Sequence, residues 1–125
     1  MYKRQEQLVF GSGGGFAGTV TVYTLLPNGQ VFHQSGTGGQ LPYEEVESVK
    51  KREAKRLFEQ ATELKLETKS FKKPGNMYYF VQYKKAEATS HQLTWGHPSF
   101  PIVEEIANFH RELMALVKAP QPPTR

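Results

Sequence analysis

The stretch FGSGGGFAGTVTVYTLL, Phe10 to Leu26, decides the fold. Gly13, Gly15 and Gly18 satisfy the G-x-G-x-x-G spacing of a dinucleotide-binding turn, and Val20 extends it to the pattern of a kinase glycine loop. A dinucleotide turn works because its last glycine opens a helix whose amides meet the pyrophosphate. Here Gly18 is followed by Thr19 to Leu25, an alternating β-branched run with the period of a strand. The glycines, Gly14 among them, therefore join strand to strand, permitting a bulged bend and close strand approach. The kinase reading fails because D-F-G, H-R-D and V-A-I-K are all missing, and no G-K-[S/T] follows for a Walker loop. Neither a nucleotide nor a cofactor is expected.

Working outward, Leu8 to Phe10 is a short apolar run that predicts an edge strand ended by the glycine cluster. On the other side, Pro27-Asn28-Gly29 is a hairpin turn, so Gln30 to Gln34 should return antiparallel. Ser35 to Gln40 is a loop, after which Pro42 suits a first helical turn and Glu44, Glu45 and Glu47 suit a helix N-terminus. Val46, Val49, Ala54, Leu57, Phe58, Ala61 and Leu64 complete an apolar stripe, which predicts a helix from 43 to 64. Pro74-Gly75-Asn76 marks the next turn. Met77 to Tyr83 then alternates with aromatics on both faces, the pattern of a central strand covered by helix on one side only. His91, Leu93 and Trp95 complete a second hairpin, and Pro101 opens a helix with Ile102, Ile106, Phe109, Leu113 and Leu116 on one face. The order β(β)βαββα predicts an α+β domain of two layers: an antiparallel sheet of four to five strands with two helices packed on one face.

Composition is consistent with this. A chain of 125 residues with 38% hydrophobic and 12% aromatic residues can bury a core without staples. The globular part is expected over 8–118, with 1–7 a non-native or flexible start and 119–125 a flexible proline-rich tail. Without cysteine there is neither a disulfide framework nor a thiolate site, and the compartment stays open between envelope, secreted and internal. The net charge of +4 is a modest bias toward anionic partners. No run approaches the roughly 18 apolar residues of a transmembrane segment.

No catalytic residue is expected. His33, His91, His97 and His110 lack metal-ligand spacing, Ser12 lacks the first glycine of a nucleophile elbow, and Glu44/Glu45 and Glu104/Glu105 suit helix N-termini. Two binding readings have more content. Phe16 on its glycine stem is a candidate apolar anchor. Tyr78, Phe80, Val81 and Tyr83 match four positions of an RNA-recognition strand, with Lys69, Lys72 and Lys73 just upstream, and stacking aromatics beside cations are the physics of single-strand binding. The strand order differs from that RNA-binding domain, and this is the lesser of the two.

With Gly14-Gly-Phe-Ala-Gly18 leading into a strand, a central helix, Tyr79-Phe-Val-Gln-Tyr83 and His91-Gln-Leu93 before a last helix, the chain resembles emfourin over most of 8–117. Emfourin-like proteins are small bacterial inhibitors of thermolysin-family metalloproteases. The chain is also similar to uncharacterised bacterial envelope proteins that combine a GGF-x-G strand start with a Pro-Gly-Asn-x-Tyr one, here Pro74 to Tyr78. The resemblance implies a non-catalytic protein that blocks a metalloprotease cleft. The expected binding residues are Gly13, Gly14, Gly15, Phe16 and Gly18, with Tyr78 and Phe80 from the aromatic strand.

Overall fold

The computed structural model describes residues 6–15, 18–36, 43–66, 71–84, 92–99 and 101–117. They form seven strands and two helices: β1 (Gln7–Gly14), β2 (Thr19–Leu25), β3 (Val31–Gly36), β4 (Tyr43–Val46), α1 (Lys51–Glu63), β5 (Phe71–Lys72), β6 (Met77–Lys84), β7 (Gln92–Trp95) and α2 (Glu104–Leu116). The class is α+β, with one sheet in the order β4-β3-β2-β1-β6-β7-β5. The expectation of four to five antiparallel strands is corrected to a mixed sheet of seven, because β5 pairs parallel to β7.

Thr19 to Leu25 is extended, so the glycine cluster does connect sheet to sheet. Leu8 to Phe10 is not an edge strand, however. β1 runs on through Gly11 to Gly14 and is paired on both sides, Phe10 facing Tyr23 of β2 and Val81 of β6. Helix 43–64 is likewise corrected to 51–63. Tyr43–Val46 is an edge strand on β3, where Glu44 lies opposite His33, 3.5 Å from its ring, and Val46 lies opposite Val31 in the core. Glu44, Glu45 and Glu47 therefore precede the helix, which begins after an extended Lys50. The Val49 amide donates to the Gly29 carbonyl at 2.9 Å, tying this approach to the β2–β3 turn. Glu104 and Glu105 do occupy the first turn of α2, where the helix dipole favours them.

The alternation of the strands puts Leu8, Phe10, Tyr23, Leu25, Val31, Val81, Tyr83, Leu93 and Trp95 on one face, and all are buried. Ala54, Leu57, Phe58 and Ala61 of α1 and Ile106, Phe109 and Leu113 of α2 join them in one cluster, so both helices cover that face. Each large side chain so buried is worth roughly 1.5–3 kcal/mol relative to exposure. Arg56 links α1 to α2 through Glu112 at 2.8 Å and meets Glu53 of its own helix at 3.0 Å, but the pairs are exposed and add at most about 1 kcal/mol.

Pro74 to Asn76 is no hairpin turn. β7 is inserted between the consecutive strands β5 and β6, so the chain leaving β5 must pass over the end of β7 to reach β6. The Lys73 amide donates to Thr94 and the His97 amide to Lys73, which pins the crossing. Gly96 adopts φ +138°, and a Cβ there would sit 2.3 Å from the Met77 carbonyl oxygen. Strain of this kind costs on the order of 1–3 kcal/mol before the clash is counted. Gly96→Ala is therefore expected to lower unfolding stability by about 2 kcal/mol or more in urea titration; an unchanged midpoint would contradict the crossing.

Candidate functional site

The site expected from the glycines and the aromatic strand comes together around one end of β1. Gly13 lies opposite Tyr78, Gly11 opposite Phe80, and Gly14 opposite Met77. The turn from β1 to β2 is closed by the Gly18 amide donating to the Gly15 carbonyl at 3.2 Å, and the Gly15 amide donates to Asn76 at 2.8 Å. Gly14, Gly15 and Gly18 all have positive φ. Phe16 lies outside the described residues, as do Lys69 and His91.

Gly13 has a second reason to lack a side chain. A Cβ there would lie 2.6 Å from the Tyr78 hydroxyl oxygen and 2.8 Å from its ring, so the bare backbone is the bed on which Tyr78 lies. Phe80 follows the same path over Gly11 and packs on Tyr78, with ring centroids 6.5 Å apart. Phe80 is only 5% exposed. A nucleobase needs an open ring face to stack on, and in this arrangement Tyr78 alone of the pair retains part of one.

On the helix face, by contrast, β6 exposes what was expected to be covered. Met77 is 47% and Tyr79 38% exposed. Tyr79 leads into a recess of about 340 Å³ lined also by Trp95, Ala107, His110 and Arg111. His110 is 94% buried by its 6% residual exposure, and its rings of contact are edge-on: Trp95 at 5.2 Å and Tyr79 at 5.8 Å. Its Nε2 lies 2.9 Å from the Gly11 carbonyl oxygen. A carbonyl only accepts, so Nε2 carries the proton and donates. Burial pushes the imidazole below its ordinary range; the Gly11 carbonyl opposes this, and the Arg111 charge adds to it.

Val103, 54% exposed, precedes Ala107 by one turn of α2 and so extends the apolar surface beside Tyr79. Sequence reasoning missed Met77, Tyr79, Val103 and His110. The two apolar residues two apart at the start of β6 were the available signal. A larger cleft of about 430 Å³ lies away from this end, floored by Phe58, Pro27 and Tyr83. Lys51 and Lys55 on its rim are balanced by Glu6 and Glu59, so it selects no sign of ligand charge. Among the described residues no group of three or more His, Asp or Glu is placed to hold a metal, and no helix is long and apolar enough to cross a membrane.

No model of a known protein family matches the chain, and no curated protein matches it.

The bed under Tyr78 is testable by a double-mutant cycle. Gly13→Ala is expected to cost about 1–3 kcal/mol in denaturant unfolding, and most of that cost should vanish in a Tyr78→Ser background. Additive effects of the two substitutions would show that Gly13 is needed for another reason.

Proposed function

We propose that the protein is a non-catalytic protein-binding domain that presents the glycine-turn end of its sheet to a protein partner. The observation that supports this reading is the exposure of Met77 and Tyr79 side by side on a paired central strand, directly against the β1–β2 turn. The Met77 sulfur lies 2.9 Å from where a Gly15 Cβ would be, so strand and turn form one surface. Exposed apolar side chains on a rigid support suit a binding hot spot, because little conformational freedom is lost when they are covered.

The partner class comes from the emfourin resemblance: a metalloprotease of the thermolysin family. Inhibition then needs no chemistry. The turn, whose sequence includes Phe16, enters the cleft while Met77 and Tyr79 cover its rim, and substrate is excluded by occupancy alone.

Purified protein is expected to slow thermolysin-type proteases at micromolar concentration, with one-to-one stoichiometry. Phe16→Ala, Met77→Ser and Tyr79→Ser should each weaken inhibition tenfold or more, about 1.4 kcal/mol, while the thermal midpoint stays near wild type for Met77→Ser, the more exposed strand position. Failure to slow any member of a thermolysin-type panel would remove the protease as partner. Inhibition that is indifferent to all three substitutions would remove this surface.

A further inference from the structure

We infer that the binding surface is switched by protonation of His110: the neutral ring, bonded to β1, seats against Tyr79 and Trp95, and the charged ring, whose second N–H has no acceptor there, moves off them. The surface half of this inference rests on the reading of Met77 and Tyr79 given above, whereas the latch stands on the placement and burial of His110 itself.

His110 joins three elements. It belongs to α2, donates through Nε2 to the Gly11 carbonyl of β1 at 2.9 Å, and meets the rings of Tyr79 on β6 and Trp95 on β7. With the single proton on Nε2, Nδ1 is bare and has no hydrogen-bond partner among the described residues. Protonation would place a second N–H, and a full charge, in a recess walled by two aromatic rings. Among the described residues the charged and titratable groups nearby offer that second N–H no acceptor. On α2 itself Arg111 repels the charged form, and Glu112 is engaged by Arg56 of α1. β6 contributes the Tyr79 phenol and β7 an indole; the Gly11 carbonyl of β1 holds Nε2–H more strongly once the ring is charged, but it does not serve the new proton on Nδ1.

The sign follows from linkage. Burial holds the folded-state value below the ordinary 6.5, so the unfolded chain binds the proton more readily. The stability contributed by seating the neutral ring is full above about pH 6.5 and is lost as pH falls from there. Because Tyr79 is both a wall of the recess and half of the exposed pair, loosening the ring loosens the surface.

The chain has one tryptophan, Trp95, which makes the test direct. Its indole resonance and fluorescence are followed from about pH 8 to about pH 5, with amide exchange of residues 77–80 compared at each pH against His110→Gln. Glutamine can still donate to Gly11 but cannot take up the proton. In wild type a one-proton step in the Trp95 signal is expected below about pH 6.5, with faster exchange at 77–80 on the acid side. Both should be absent in His110→Gln. The inference is overturned if wild type shows no step, if the step survives in His110→Gln, or if exchange at 77–80 does not follow it. Should His110→Gln fail to fold, the imidazole resonances of wild type decide: one ring must titrate below about 6.5 together with the Trp95 indole. Capture by immobilised thermolysin, measured across the same range, separates the two readings. Absence of capture at every pH counts against the protease partner and leaves the latch to the Trp95 and exchange signals.

Discussion

The structure depends on Gly11 having no side chain. It sits in the central strand of a seven-stranded sheet, paired with Val22 on one side and Phe80 on the other. A Cβ there would fall 1.9 Å from the Thr21 carbonyl oxygen and 3.0 Å from the tip of the Phe80 ring. On the opposite face its carbonyl is the acceptor for His110. One bare residue thus lets an aromatic ring settle over one face and lets a helix reach the backbone from the other. Any side chain would force β1 and β2 apart, and with them the anchor of α2. A carbonyl has two lone pairs, so a donor arriving from the helix face need not displace a ladder bond.

Much of the fold was legible because several local signals agreed. The Thr19 to Leu25 alternation, the Pro27 to Gly29 turn, and the apolar stripe of α2 from Ile106 to Leu113 each carry one reading, and the structure has all three. β4 was misread because Pro42 and the glutamates have the composition of a helix start. What overrode it was pairing: Glu44 gains His33 across the ladder, Val46 gains the core beside Val31, and neither benefit is visible in local sequence. β5 has two residues, too few to show any period. The placement of β1 at the centre was hidden for a different reason. Glycines depress strand propensity, so Gly11 to Gly14 looked like an ending, when their value lies in the rings of the neighbouring strand.

The site was half legible on the same terms. Gly13, Gly14, Gly15 and Gly18 were singled out with Tyr78 and Phe80, and they are neighbours in space. The exposure was inverted, however. Phe80 is buried on the face without helices because it lies over Gly11, whereas Met77 and Tyr79 are exposed on the helix face because their strand start extends beyond the buried cluster. His110 was hidden more deeply. A single histidine in an amphipathic helix has no partner at motif spacing, and its actual partner is a backbone carbonyl 99 positions away, which no side-chain pattern announces.

Three local costs are gathered at this end of the molecule. The turn uses glycines at positive φ, each of which loses more chain entropy on folding than another residue would, by about 0.5–1 kcal/mol. Met77 and Tyr79 forgo burial that would be worth roughly 1.5–3 kcal/mol for a large apolar side chain. His110 keeps a titratable ring in a buried position where phenylalanine would pack with no dependence on pH. The buried faces of α1 and α2 and the core-facing positions of β1, β2 and β6, by contrast, are apolar and closed. Where local rules are broken together and in one place, with the rest of the fold consistent, function is the economical explanation. The exposed pair at the turn is left uncovered by the helices, and among the described residues the buried titratable group in contact with it is His110.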